Sequence, residues 1–190
     1  MLIVFDILVE ATGRVLDGTV MPSWSDFAIA APDLAATVRA RLDGHPYKLI
    51  ATLRKNGAPR VSGIEVEFLQ DGELRAGSMP DSVKVHDLDR DGRFCLHNTP
   101  APQAEWVGDA KLTGIAHPTT GPRKEARYYR LDLREVATVR VESSGLVITV
   151  WTPQPRGSTV GACRAGLTSP QLPLTWRPPS ARALTPTRTS

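Results

Sequence analysis

The sequence predicts a mainly β protein, an antiparallel barrel of six to seven strands with a few helices. Three observations carry this prediction. About seven apolar or alternating runs are separated by turns rich in Gly, Asn and Asp. Strand and helix do not alternate as they would in a parallel sheet. Helical spacing is confined to residues 33–43 and to a segment between Pro80 and Arg93.

In chain order, Leu34, Val38 and Leu42 recur at helical spacing, Asp33 caps or charges the first turn, and Gly44 closes the run. Next, KLIATLRKNGAPRVSGIEVEF holds two β-branched runs around Asn56-Gly57, a pair that favours a tight hairpin turn. Its second half sets Ile64, Val66 and Phe68 against Glu65 and Glu67, the pattern of a half-buried antiparallel strand. Asp71-Gly72 makes another turn before a short strand ending near Gly77. PDSVKVHDLDRDGR then reads as a helix with Asp81 or Ser82 at its N-cap and Val83 and Leu88 facing inward. RFCLHN, EWVGDAKLTGIA, YYRLDLREVATVRVE and LVITVW are strand-like, the last two joined at Ser143-Ser144-Gly145. Cys95 falls in the apolar run RFCLHN and reads as a buried, inert thiol, and Trp24 and Trp151 as packing for the barrel ends.

Composition bounds the function. The 190 residues, 41% hydrophobic and 23% charged, suit one domain with a real core. No apolar run reaches the roughly 18 residues of a membrane span. The first residues lack a basic region and carry Asp6 and Glu10, unlike a secretory signal. Cys95 and Cys163 are far apart and the four histidines are scattered, so neither a disulfide framework nor a metal site is expected. The expectation is a soluble cytoplasmic protein without bound metal.

The formal charge of +3 is misleading, because five arginines and no acidic residue lie between Thr152 and Ser190. Residues 1–151 therefore carry a net −2, and no nucleic-acid or membrane partner is expected. That basic stretch holds seven prolines and reads as a disordered or loosely packed tail, residues 152–190. A barrel domain is expected over 21–151, preceded by an extension over 1–20. Met21, where regular sequence begins, is either the natural start or an internal methionine.

The segment with most chemistry is Gly77-Ser78-Met79-Pro80-Asp81-Ser82-Val83-Lys84. A strand stops, small residues turn the chain, and a helix opens with a hydroxyl and a lysine in its first turn. Free backbone N–H groups, the positive end of the helix dipole, Ser82 and Lys84 converge on one anion, and phosphate is the natural guest. The plainer reading is a capped surface helix. Arg60 and Ser62, two apart on the preceding hairpin, share a face, so Arg60 is either a second phosphate ligand or an exposed strand arginine.

These runs, in this order and over about residues 24–151, resemble the pyridoxamine 5'-phosphate oxidase-like split-barrel family, which includes FMN proteins and deazaflavin (F-420) reductases. The strongest piece is S-x-K-x-x-x-L-x-x-D at Ser82, Lys84, Leu88 and Asp91, with Asp91-Gly92 where the family has an Asp-Pro turn. The resemblance implies a split β-barrel that dimerises with its cofactor in the groove between subunits. It implies that Arg60, Val61 and Ser62 line the isoalloxazine and ribityl chain, that Gly77 and Ser78 contact the cofactor, and that Ser82, Val83 and Lys84 clamp its phosphate. Asp109 and Lys111 fall where the true oxidases carry an Arg-Gln pair facing the flavin across the dimer, so a strict pyridoxamine phosphate oxidase is disfavoured.

The expected function is a flavin-type oxidoreductase that binds FMN or coenzyme F-420, acts on a small-molecule substrate and forms a homodimer. The alternative is a non-catalytic carrier of a flavin, deazaflavin or haem-like ligand. No acid or base stands out: His86 reads as solvent-facing, and His97 either reaches the cleft or caps a strand edge. Trp106 either stacks near the proposed site or packs in a core or interface.

Overall fold

The computed structural model describes residues 21–102, 104–143, 145–154 and 157–165. Its elements are α1 (Trp24–Ala30), α2 (Pro32–Asp43), β1 (Tyr47–Leu53), β2 (Pro59–Phe68), β3 (Leu74–Ser78), α3 (Val83–Arg90), β4 (Arg93–His97), β5 (Asp109–Thr119), β6 (Arg127–Glu142), β7 (Gly145–Gln154) and β8 (Gly157–Ala165). The strands lie in the order β3-β2-β1-β4-β5-β6-β7-β8, all antiparallel, and β3 also pairs with β6. That last pairing closes the first six strands into a barrel, as the turn spacing predicts.

β6 makes the barrel possible because it pairs with β3 and then with β7 in succession along its length. Its first residues pair with β3 and β5, and Val136 onward pairs with β7. The switch follows a β-bulge at Thr113/Gly114, where Arg134 is the extra residue on the facing strand. A side chain at Gly114 would collide with the Asp132 carbonyl, so only glycine fits this approach.

The hairpin turn at Asn56-Gly57 forms as expected, with Gly57 at φ 81°. Four differences from the sequence reading have local causes. Helix α1 is additional, and its start was legible as a capping box: Asp26 N–H donates to Ser23 Oγ at 3.2 Å, and Ser23 N–H donates to Asp26 Oδ2 at 2.8 Å. Strand pairing continues past Trp151, through β7 to Gln154 and into β8, because Leu146–Gln154 finds a partner in Gly157–Ala165. The expected tail thus begins with a strand, and its residues beyond 165, like the extension over 1–20, lie outside the described residues. Val83 opens α3 and is 53% exposed, and the inward positions are instead Val85 and Leu88. Cys95 is only half-buried, because the alternation of β4 sends Phe94 and Leu96 inward.

Each end of the barrel is covered by helices. At one end α1 and α2 bury Trp24, Phe27, Val38 and Leu42 against Trp151 and the half-buried Phe68. At the other end α3 buries Val85 and Leu88, and Tyr129 Oη donates to Asp89 Oδ1 at 2.7 Å. No helix among the described residues is long and apolar enough to cross a membrane.

Gly92, at the position where the resembled family has proline, packs directly on β5. A Cβ there would stand 2.7 Å from the Ala116 carbonyl oxygen, a backbone atom that cannot swing aside. The Gly92→Ala variant is therefore expected to lose about 1–3 kcal/mol of stability by overpacking. Equilibrium urea unfolding checks this, and an unchanged midpoint would show that the strand yields freely.

Candidate functional site

The site is built on the junction between β3 and α3. Ser78 ends β3, four residues turn the chain, and α3 begins after Ser82. Ser82 has extended backbone at φ −72° and ψ 144°, the conformation of an N-cap, yet its side chain makes no capping bond. Its Oγ pairs instead with Ser78 Oγ at 3.0 Å. The first-turn N–H groups of Val83 and Lys84 therefore have no side-chain cap and no carbonyl one turn earlier in the helix. Two hydroxyls, two backbone donors and the half-buried Lys84 gather at the positive end of one helix.

Arg60 comes to the same helix from β2. Its Nε donates to Asp87 Oδ2 at 2.6 Å, and Asp87 lies one turn beyond Lys84. Residues three apart on a helix are surface neighbours, so the guanidinium is anchored beside the lysine's turn. Arg60 and Ser62 face the barrel interior, whereas Val61 points outward and is 67% exposed. Gly77 sits between β2 and β6, where a Cβ would press on Tyr128 at 3.1 Å.

The structure thus brings Arg60, Ser78, Ser82, Val83 and Lys84 to one end of the barrel, with Ser62 and Gly77 on the strands leading there. It does not bring Asp109 and Lys111 to that end within one chain. They open β5 at the α2 side: Trp106 Nε1 donates to Asp109 Oδ1 at 2.9 Å, and Arg41 donates to the Asp109 carbonyl. The α3 end of β5 is marked by Ala116, whose N–H donates to the Gly92 carbonyl at 2.7 Å. Five residues of strand separate Lys111 from that level, about 17 Å. Trp106 shares this distant position, so it does not stand beside α3. His97 Nδ1 lies 2.6 Å from the Asn98 carbonyl at the strand end, and His86 is exposed on α3.

Sequence reasoning missed Asp87. The residue is 3% exposed, and besides Arg60 its carboxylate accepts from Thr52 Oγ1 at 3.0 Å and from both Arg90 terminal nitrogens at 3.3 Å. The signal was a charge on the buried face of a short helix, but its partner lies 27 residues away and only topology joins them.

Burial acts to raise the Asp87 carboxyl, and the bonds from Arg60, Thr52 and Arg90 outweigh it, holding it below its ordinary 3.8. A carboxyl depressed on folding contributes stability above its unfolded pKa and loses it as pH falls through the folded value. The wild type is expected to lose stability more steeply than Asp87→Asn between about pH 5 and about pH 2. Denaturant unfolding across that range checks this, and equal slopes would contradict it.

No family model matches the chain, and no curated protein matches it in sequence. Solved structures do. PhzG from Burkholderia lata 383, determined in complex with tetrahydrophenazine-1-carboxylic acid, is 13% identical with a TM-score of 0.57, over 78% of this chain and 98% of that one. A pyridoxamine 5'-phosphate oxidase-related, FMN-binding protein from Nostoc punctiforme PCC 73102 is 11% identical with a TM-score of 0.54, over 68% of this chain and 95% of that one. At such identities the likeness is one of fold, and it matches the barrel described above.

Proposed function

We propose that this chain, which has the split-barrel fold of pyridoxamine 5'-phosphate oxidase-related FMN-binding proteins, is itself a flavin-type oxidoreductase that holds FMN or coenzyme F-420 by its phosphate at the start of α3. The observation that carries the reading is the donor set at that point. Ser78 and Ser82 hydroxyls, the Val83 and Lys84 N–H groups and the Lys84 ammonium can all donate, and the two hydroxyls pair with each other at 3.0 Å. Such a set of donors at a helix start fits a phosphate.

When bound, the cofactor would supply hydride transfer at its ring, and the chain's own residues would bind and orient it. Lys84 and Arg60 would neutralise the phosphate, the Ser78 and Ser82 hydroxyls would fix its oxygens, and the outward face of β2 around Val61 would border the ring. No side chain is assigned a proton-transfer role. A homodimer is part of the proposal: Val61, Leu53, Ala51 and Cys95 share an outward face of β2, β1 and β4 that a second copy would cover.

A carrier without turnover is the second reading, favoured by one observation. The positions that carry an Arg-Gln pair in the resembled oxidases are Asp109 and Lys111, and the Asp109 carboxylate is occupied by the Trp106 indole. Anaerobic reduction of the FMN-loaded protein, followed by mixing with small organic acceptors, separates the two. An oxidoreductase returns the visible band of oxidised FMN at a rate that depends on acceptor concentration. A carrier returns it no faster than free reduced FMN does.

A further inference from the structure

We propose that Asp87 is the positioning residue of the phosphate site: it grips Arg60 by Nε and so presents the two terminal guanidinium nitrogens to the ligand. The inference rests on the phosphate reading above and adds to it a residue whose role is exerted entirely through another.

Asp87 holds Arg60 by one nitrogen only. Arg93, Arg130 and Arg140 each meet their carboxylate through Nε and Nη2 together, which consumes one edge of the guanidinium, and the two other arginines that use Nε alone, Arg39 and Arg75, do so on exposed carboxylates. Arg60 meets Asp87 through Nε alone, and its terminal nitrogens make no hydrogen bond among the described residues. Its side chain is 22% exposed, against 4% for that of Asp87, so one end of the pair is fixed and the other reaches solvent.

Asp87 is itself held from several sides. Asp87 Oδ2 also accepts from Thr52, which is the cross-strand partner of Arg60, so helix and both strands of the hairpin meet at one oxygen. The other oxygen is held by Arg90, which also donates to the Leu53 carbonyl. A carboxylate with every acceptor direction in use has one orientation, and so does the arginine fixed to it. For stability alone, a buried ion pair is matched or bettered by packed apolar residues. A buried charge that aims a second charge at the surface has a use that an apolar group cannot fill. The two arginines against one carboxylate leave the cluster with an excess positive charge, as an anion site requires.

The test compares FMN with riboflavin, which lacks the phosphate. In Asp87→Asn, FMN affinity is expected to fall about tenfold or more, with riboflavin affinity unchanged. In an Arg60→Ala background, the same substitution is expected to have no further effect on FMN, since Asp87 acts only through that arginine. An equal loss of FMN and riboflavin affinity would overturn the inference, as would undiminished FMN affinity or an equal effect in both backgrounds. If Asp87→Asn does not fold, Thr52→Val loosens the same oxygen while keeping the charge. It is then expected to weaken FMN and not riboflavin, and unchanged FMN affinity would again overturn the inference. Wild-type protein that binds no FMN would instead overturn the phosphate reading beneath it.

Discussion

Replacing Lys84 by alanine is expected to weaken FMN binding roughly ten- to hundredfold and to leave riboflavin binding unchanged. Lys84 is the one ammonium in the first turn of α3, where two N–H groups lack a side-chain cap and Ser82 turns its hydroxyl to Ser78 instead. A charge-assisted contact to phosphate contributes about 1.5–3 kcal/mol, which converts to that factor. The fold should be indifferent, because the core contacts of α3 are made by Val85 and Leu88. Isothermal titration with both ligands checks the prediction. A variant that binds FMN as tightly as wild type would place the phosphate elsewhere.

Phe27→Ala is expected to have the opposite character, a large loss of stability with the phosphate site intact in whatever protein remains folded. Phe27 is fully buried, with ring centroids 5.2 Å from Trp24 and 4.8 Å from Trp151. It joins α1 to the strands that continue beyond the barrel. Truncating such a side chain costs about 3–5 kcal/mol, a fall in melting temperature of roughly 10 °C or more for a chain of this size. Calorimetry measures it. A fall of only a degree or two would mean that α1 is loosely attached and that the barrel end is closed by α2 alone.

How much of this was legible in the sequence depends on the range of the interaction. The Asn56-Gly57 hairpin, the alternation of β2 and the Leu34-Val38-Leu42 stripe of α2 are local patterns, and each forms where its spacing places it. The Ser82–Lys84 turn was legible for the same reason, since strand end, N-cap and lysine lie within a few residues. Helix α1 announced itself only through Ser23 and Asp26, a short signal beside an irregular stretch. β8 had almost none, because Gly157–Ala165 is small, polar and proline-flanked, and its pairing with β7 decides its state. The Asp87 cluster is illegible in principle to local reading. Thr52, Arg60, Asp87 and Arg90 come from two strands and a helix, and nothing short of the barrel's closure brings them together. Asp109 and Lys111 show the converse, since the resemblance places them facing a cofactor across a dimer, an arrangement that the strand pairings of one chain do not reach.

The central question for this barrel is whether it binds a phosphorylated flavin at α3. The decisive measurement is a fluorescence titration of the purified full chain with FMN and with F-420 side by side, riboflavin serving as the control without phosphate. Saturable binding of at least one phosphorylated cofactor is expected, in the micromolar range or tighter, with riboflavin clearly weaker. Saturation by neither FMN nor F-420, or riboflavin binding as tight as FMN, would contradict it.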